Sequence, residues 1–545
     1  MSIEILPTKM SASRPLSEDL EQCTDDDLVK SPVGRNTVLA SELLSHSMPR
    51  TDPNNPMNWP LHRKLYTSLC AWLFAAAVAF GITCFTAGKG EFVTDFDLGD
   101  GVPVPFILGM SLYLWGIAFS PIWVPHATER IGRSLIYLTA LPACALFVLG
   151  AGLSKSLAGI LVCRFFAGLS GGPCLVLIEG TFADMWSART TNTYYAFLGI
   201  AAYFGGSLGP LAGGYLIRST GNWRWTQYFT VIIMAVIWIF GLGQSETYQR
   251  EIPRRQAHYS GQSRKELILT QDPALSGVKA SEMFKITVLD PIRQVFTDPV
   301  VALSTLFLLF NFGVLFQWFI SVPAALGGPP PMGPGFSIDR IGLAIGLTGT
   351  IGSSCAALMS ITIEQIGTGM LMKMFGKPVH ASIEYRLVPA MIGQFLITAS
   401  LFWTGFSVSP NFPPTVPIGG TAFYIFGNAS IIISVVPYLF DAFPPAGTLS
   451  ALTAAASARL LFAGAIPLTV LFDITKLSPK WCFGIYGFIS IAMWPIPFLL
   501  FRYGPTWRAK SRYSMILKSD GMGMHRMVLS HDEEMTSYES GGQRG

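Results

Sequence analysis

The chain has 545 residues, of which half are hydrophobic and only 13% are charged, whereas charged residues make up about 25% of an ordinary soluble domain. So few charges cannot cover the surface of a soluble protein of this size, so the composition excludes that class and predicts a protein that crosses the membrane many times. The net charge of +4 excludes a strongly basic nucleic-acid-binding protein. The eight cysteines have neither CxxC nor metal-ligand spacing, so we expect no metal and no cofactor.

Twelve stretches of the sequence are apolar enough to cross a bilayer, whose hydrocarbon core of about 30 Å needs about 20 residues of helix. The first is the clearest, with no charged residue between Leu65 and Gly88; the eighth and tenth are diluted by glycine. A helix satisfies its own backbone hydrogen bonds inside a bilayer, so we predict an all-α integral membrane protein. The predicted spans are 65–86, 104–124, 135–153, 158–179, 192–216, 225–243, 299–322, 340–361, 387–407, 417–439, 448–471 and 481–501.

The spans fall into two groups of six, separated by a polar segment. The predicted domains are an N-terminal tail (1–64), a first six-helix bundle (65–243), a central loop (244–298), a second six-helix bundle (299–501) and a C-terminal tail (502–545). The N-terminal tail has no apolar leader and is expected to be disordered. Two groups of six spans are typical of transporters with two pseudo-symmetric halves and a substrate site between them near mid-membrane.

The positions of Lys and Arg predict the orientation of the spans. Arg130 and Arg133 lie in the short loop before the third span, whereas the loop 408–416 contains neither Lys nor Arg. Glu384 and Arg386 precede the ninth span, the counterpart of the third in the second half, which is a weak internal repeat. Most basic residues lie in the cytoplasm if both termini are placed there. We therefore predict that both tails and the central loop are cytoplasmic.

Span five contains a run of closely spaced glycines. Gly205, Gly209 and Gly213 are four residues apart and share one helix face, which lets a neighbouring helix approach closely. Pro210 removes a backbone hydrogen bond and is expected to kink the helix, and Gly214 ends the run. Two interpretations are open: a smooth surface on which helices rock, or a face used for helix packing alone.

This run fits the pattern G-x-x-x-G-P-x-x-G-G and resembles span five of the drug:proton antiporters of the major facilitator superfamily. Other segments resemble the fungal branch of these antiporters with twelve spans. They are the lead-in 52–60, the run Arg164-Phe165-Phe166-Ala167-Gly168, Asp184-Met185-Trp186 with Arg189, Trp223-Arg224-Trp225, Glu246-Thr247-Tyr248 and Glu384-Tyr385-Arg386-Leu387. The resemblance covers about residues 52–501.

The resemblance implies the major facilitator fold and transport by alternating access. It also implies export of a drug, toxin, fungal metabolite or polyamine, coupled to inward proton flow across the plasma membrane, with the vacuolar membrane as an alternative. The expected partners are a small-molecule substrate, protons and the lipid bilayer, with no nucleic acid, and the protein is expected to act as a monomer. Polyamines are disfavoured, because a polycation needs cavity carboxylates and the spans contain almost none.

The loop before the third span is similar to the superfamily pattern G-x-x-x-D-R-x-G-R. Arg130, Gly132 and Arg133 match it, whereas Pro125 replaces the first Gly and Glu129 replaces the Asp. Arg130 and Arg133 can bond acidic residues and helix C-termini at the inner face, which predicts a gating latch. Asp184 and Arg189 are further candidates for this gating region. The alternatives are that the arginines serve topology only, that Glu129 neutralises them, and that Asp184 is structural.

Arg164 and Glu179 are the two charged residues that we place within span four. A charge inside the bilayer is costly and is expected to face the interior and find a partner, so Arg164 either tunes a proton or substrate site or ties helices together through carbonyl groups. Glu179 lies fifteen residues further on, about 22 Å away, and a desolvated carboxyl group has the properties of a proton carrier. Its alternative role is an ion pair with Arg133 or Arg189 at the water boundary.

The second half contributes one cation and several polar side chains within spans. We place Arg459 near the cytoplasmic end of span eleven, where its side chain would reach the interface. Each polar residue proposed for the substrate cavity has packing as its alternative role. The cavity candidates are Tyr203, Asn311, Gln317, Trp318, Gln394 and Asn428.

The sequence contains no P-loop and no catalytic constellation, so we predict a secondary transporter rather than an enzyme or an ATP-driven pump. Two rival hypotheses remain. A proton-coupled importer would have the same fold, since sequence does not fix the direction of transport. A membrane sensor that kept a transporter body would signal through its tails.

Overall fold

A computed structural model of the chain describes residues 52–99, 104–186, 191–259, 288–328, 334–375, 383–408, 412–413, 415–443, 445–469 and 479–511. The predicted tails, apart from the stretches next to the spans, and most of the central loop lie outside the described residues. Every regular element of the described part is a helix, which agrees with the predicted all-α class.

Within the described residues, eleven helices are long and apolar enough to span a bilayer, and one helix pair, bent by 41° at its break, completes a twelfth span. The predicted number of spans is thereby confirmed. In chain order they are α1 (Leu61–Thr83, continued by Cys84–Gly88 and Lys89–Asp95), α2 (Val104–Ala118 and Ser120–Ile131), α3 (Arg133–Leu153), α4 (Leu157–Met185), α5 (Thr191–Thr220), α6 (Arg224–Gly241), α7 (Pro299–Gly327), α8 (Ile338–Phe375), α9 (Val388–Ser407), α10 (Thr415–Ala442), α11 (Pro445–Ala465, continued by Ile466–Thr469) and α12 (Pro479–Met493 and Pro495–Lys510).

Several helices continue past the predicted spans. α4 runs on to Met185, α8 to Phe375 and the second part of α12 to Lys510. The predicted central loop also contains two short helices, Glu251–Tyr259 and Asp290–Thr297. Hydropathy measures only the part of a helix that lies in hydrocarbon, so the polar ends that extend into water were missed.

Proline explains the break in α2. Pro121 lies in the first turn of Ser120–Ile131, where a helix has no use for the missing backbone N–H. A new helix therefore starts after Phe119, and the two parts meet at 41°. The sequence had predicted one uninterrupted span here.

The ends of the helices meet at two faces. The terminal face, where α1 begins and α12 ends, also contains the ion pair between Arg133 at the start of α3 and Asp184 at the end of α4. At the opposite face, Arg224 at the start of α6 pairs with Asp95 at the end of α1 and donates a hydrogen bond to the carbonyl of Ser154 after α3. Successive spans therefore run in alternating directions.

Two seams join the first six helices to the last six. In one, the α8 glycines Gly342, Gly346 and Gly349 lie against Pro210, Leu211 and Ser207 of α5. In the other, Gly464 of α11 lies against Trp115 of α2, whose indole N–H donates a hydrogen bond of 3.0 Å to the carbonyl of Leu461. Small residues let these backbones approach closely, as is usual for helix contacts in membranes.

Candidate functional site

The glycine run of α5 faces two helices at once. A Cβ atom at Gly205 would meet the backbone of Ala76 in α1, and one at Gly213 would come within 2.8 Å of Ala87, while Gly209 faces the turn at Cys84. Gly214 faces another way, towards the start of α8. One side of α5 therefore packs on α1 within the first half. The side of α5 that carries Gly214 packs on α8 of the second half.

Arg164 is fully buried on α4. Its Nη1 donates a hydrogen bond of 3.0 Å to the carbonyl of Gly81 in α1, and its guanidinium lies 4.0 Å from the ring centre of Phe85 and 5.4 Å from that of Tyr113. Its Nε and Nη2 have no hydrogen-bond partner among the described residues. Because it follows Leu157 by seven residues, it lies about 10 Å from the start of α4.

Glu179 and Asp184 point to different sides of α4, since five residues turn a helix by about 140° from a full number of turns. Arg133 pairs with Asp184 at 3.3 Å, and its guanidinium packs against Gly180, where a Cβ atom would clash with it. Glu179 is only partly buried, and the charge acting on it comes from Arg459 of α11.

Arg459 lies deep in α11, as the tenth residue of the apolar stretch Ser450–Thr469. The interpretation that it reaches the interface from the end of the span is therefore wrong. Its guanidinium lies 5.4 Å from the ring centre of Phe312 in α7, and its charge acts on both Glu179 and Tyr203 of the first half. Its Nε has no hydrogen-bond partner within the described part of the chain.

Four of the six predicted cavity residues gather at one place between the halves. Tyr203 of α5 donates a hydrogen bond of 2.6 Å to Oδ1 of Asn428 in α10, and Asn428 donates one of 2.8 Å to the carbonyl of Asn311 in α7. Trp318 of α7 stacks on Tyr424 of α10, with ring centres 5.7 Å apart. We call Tyr203, Asn311, Trp318, Tyr424 and Asn428 the central cluster.

The other two predicted cavity residues differ in position. Gln317 is buried next to Trp318 on α7. Gln394 instead donates hydrogen bonds of 2.9 Å to the carbonyl and hydroxyl of Ser490, which ties α9 to α12. Tyr424 lies one turn before Asn428 on the same helix, which places both side chains on one face of α10.

A network at the terminal face is built on Glu246, which follows α6. Its carboxylate accepts hydrogen bonds from the backbone N–H groups of Arg133 (3.0 Å) and Ser134 (3.1 Å) and pairs with Arg255 at 2.7 Å. It thereby caps the start of α3, where a negative charge is favourable. Gly132 has φ +79, which a residue with a side chain rarely adopts. The sequence motif that contains Glu246 did not indicate this capping role.

The predicted gating residues are divided within this network. Arg133 meets Asp184, whereas Glu129 pairs with Arg250 at 3.5 Å rather than with an arginine of its own loop. Burial, followed by the neighbouring charge of Glu129, raises the pKa of Tyr248, so this phenol stays protonated. Among the predicted gating residues, Arg189 lies outside the described part of the chain.

The second half repeats this arrangement. Arg386 before α9 pairs with Asp441 at the end of α10 at 2.6 Å, as Arg133 does with Asp184. Glu384 pairs with Arg508 of α12. The ion pairs that the structure describes at the terminal face thus join residues of the same half.

At the opposite face an ion pair joins the halves. Arg218 near the end of α5 pairs with Asp339 in the first turn of α8. The Asp339 carboxylate is largely buried, with a side-chain exposure of 7%. This pair and the contact between Trp115 and Leu461 both tie the first half to the second.

Nothing in the described ranges is arranged to hold a metal: no group of three or more His, Cys, Asp or Glu side chains comes together there.

Comparison with known proteins gives a consistent result. The sequence model of the family described as Major Facilitator Superfamily matches residues 69–467. MFS-type transporter traF of Penicillium crustosum is 28% identical over 469 residues, which cover 85% of this chain and 92% of traF. Efflux pump bik6 of Gibberella fujikuroi is 30% identical over 470 residues, which cover 86% of this chain and 94% of bik6. A partially occluded inward-open structure of the xylose transporter XylE from E. coli matches with a TM-score of 0.56 at 15% identity, covering 81% of this chain and 98% of XylE; this likeness concerns the fold alone.

Proposed function

The chain belongs to the Major Facilitator Superfamily, and from this premise we propose that it exports drugs, toxins or fungal secondary metabolites in exchange for protons. Proteins of this family are transporters and not enzymes, so the chain is a multi-pass membrane protein that moves small molecules. The name of its relative bik6, an efflux pump, supports export as the direction.

The hydrogen bond between Tyr203 and Asn428 is the observation that carries the proposal. It joins α5 to α10, and hence the two halves, within the membrane-spanning region. A site between two halves gains access to one side or the other as the halves rock. The central cluster combines aromatic surface with a few polar atoms, which suits bulky amphipathic molecules. We assign the substrate site to this cluster.

Glu179 is the proposed proton carrier. It is partly buried, belongs to the first half and lies within the electrostatic reach of Arg459 in the second. The guanidinium charge favours the ionised carboxylate while the two residues are close, and a movement of the halves that separates them favours protonation. Arg164, about 22 Å away along α4, supports transport by holding α4 to α1 and α2.

The proton gradient supplies enough energy for this exchange. One proton that crosses a potential of 100 mV releases about 2.3 kcal/mol, and each pH unit adds about 1.4 kcal/mol. The sum of about 3.7 kcal/mol supports a gradient of several hundred-fold for a neutral substrate.

Polyamines fit the site less well. Glu179 is a carboxylate within a membrane span. Its connection to the central cluster is through Arg459, whose charge acts on both Glu179 and Tyr203. A polycation would meet this guanidinium, and like charges in a low-dielectric site repel strongly.

The remaining parts of the proposal concern orientation and setting. The terminal face is assigned to the cytoplasm, because the basic residues concentrate there. Residues 65–243 and 299–501 are proposed to move as two bundles within one monomer. The plasma membrane is the proposed location, with the vacuolar membrane as the alternative.

Uptake into inside-out membrane vesicles tests the function. With the lumen made acidic, the wild-type protein is expected to accumulate compounds from a labelled panel, and an uncoupler is expected to abolish accumulation. Accumulation that the uncoupler leaves unchanged contradicts proton coupling, and substrate driven out of the vesicles by the same gradient identifies an importer.

Three variants separate the parts of the mechanism. Glu179→Gln is expected to abolish gradient-driven accumulation while substrate exchange without a gradient continues. Asn428→Leu is expected to lower both, by about tenfold or more, since a buried polar partner is lost. Phe423→Leu, at a side chain of α10 that is 42% exposed, is the matched control and is expected to transport as wild type.

A further inference from the structure

The short helix Asp290–Thr297 lies between the central loop and α7 and packs on the protein with one side only. Pro291 and Gln294 are buried, and the helix contacts α7 and α11. The opposite side carries Ile292 and Phe296, which are 52% and 84% exposed, together with Leu289 immediately before the helix, which is 50% exposed. Three large apolar side chains thus point away from the protein.

These side chains form one stripe. Leu289, Ile292 and Phe296 are separated by three and four residues, which places them on the same face of a helix. We call these three residues the apolar stripe. Exposure of this stripe to water would cost a free energy of about 25 cal/mol for each Å² of apolar surface. We therefore expect another apolar surface to cover it.

The position of the helix identifies the cover as lipid. Asp298 follows directly and caps α7 by accepting hydrogen bonds from the N–H groups of Val300 and Val301. α7 then enters the apolar region, and its Leu306 is 44% exposed. The apolar stripe therefore lies directly before a membrane span, at the level where the bilayer interface is expected. Arg293 is exposed on the same helix, where its guanidinium can pair with a lipid phosphate.

We propose that Asp290–Thr297 is an interfacial helix that docks on the phospholipids of the leaflet at the terminal face. Its apolar stripe enters the boundary between headgroups and acyl chains, and its buried side holds α7 and α11. The helix thereby fixes the entry of the second half to the membrane plane, a surface distinct from the central cluster and independent of what is transported.

Spin-label accessibility in nanodiscs of phosphatidylcholine and phosphatidylglycerol tests this proposal on the full-length protein. A nitroxide at Phe296→Cys is expected to collide more with oxygen than with a water-soluble nickel chelate, at a depth of about 5–10 Å below the phosphates. Leu306→Cys is the control within the bilayer, and Asn222→Cys, in the turn between α5 and α6, is the control in water.

Two results would overturn the proposal. High collision with the nickel chelate, as at Asn222, means that the stripe faces water. Low collision with both reagents means that protein, such as residues 260–287, covers the stripe instead of lipid. Neither result depends on transport. The test of the interfacial helix is therefore independent of the test of the proposed export function.

Discussion

Arg164 shows how a single charge can be accommodated inside a helical membrane protein. Its described partners are the carbonyl of Gly81 and the faces of Phe85 and Tyr113, and each is neutral. A guanidinium has five donors and remains charged, so these contacts hold α4 to α1 and α2. The position is therefore sensitive to any loss of the hydrogen bond or of the cation.

We expect Arg164→Ala to abolish drug resistance in a host that lacks its own pumps, because the change removes the contact with Gly81 and leaves a cavity between three helices. Resistance assays with surface labelling check this expectation. Val162→Ala is the matched control, since Val162 lies two residues away on α4 and is 55% exposed. Full resistance in cells that carry the Arg164→Ala variant would exclude Arg164 from the mechanism.

The sequence indicated candidate residues but not how they pair. Arg164, Tyr203 and Asn428 could be selected because polar residues inside apolar spans are costly and hence informative. The sequence left open whether Glu179 meets Arg133, and the structure shows that Arg133 pairs with Asp184 instead. Which side of a helix faces which neighbour depends on tertiary packing, and a single sequence does not contain that information.

At the scale of the helix, the glycines of α5 have separate roles according to their side. Gly205 touches the backbone of Ala76, which cannot move away, whereas the nearest atom to a Cβ at Gly206 is 3.7 Å away, an ordinary contact. Adjacent residues of one motif therefore differ in how much space they have. The sequence predicted the close approach of a helix but not that the partner is α1.

This difference gives a matched pair of substitutions. Gly205→Ala is expected to destabilise the protein by about 1–3 kcal/mol, the usual cost of overpacking, and to lower transport. Gly206→Ala is expected to leave both unchanged. Thermal unfolding of the purified proteins, followed by transport assays, measures the two effects. Equal stability of both variants would mean that α5 does not pack on α1 as described.

Helix number could be predicted from the sequence, whereas helix ends and breaks could not. Twelve apolar stretches appear because each must fill the bilayer. The polar continuation of α4 to Met185 and the interruption of α2 after Phe119 depend on caps, proline and neighbouring helices, which hydropathy does not record. The extension of α4 places Glu179 within a helix rather than at its end.

The whole molecule repeats one design in its two halves. Arg133 with Asp184 and Arg386 with Asp441 join equivalent helices at the terminal face. The weak repeat at Arg130, Arg133 and Arg386 in the sequence reflects this arrangement. Each of these pairs lies within one half. The pair between Arg218 and Asp339 instead joins the two halves, at the opposite face.

Cross-linking at the opposite face tests whether transport requires the halves to separate there. Cysteines at Arg218→Cys and Asp339→Cys, joined by a bifunctional thiol reagent that does not cross the membrane, are expected to stop transport, and reduction is expected to restore it. The control pair, Asp95→Cys with Arg224→Cys, lies at the same face but within the first half. Cross-linking this pair is expected to leave transport unchanged, because no movement between the halves is restrained. Continued transport by the linked Arg218→Cys and Asp339→Cys protein would rule out alternating access by separation of α5 from α8.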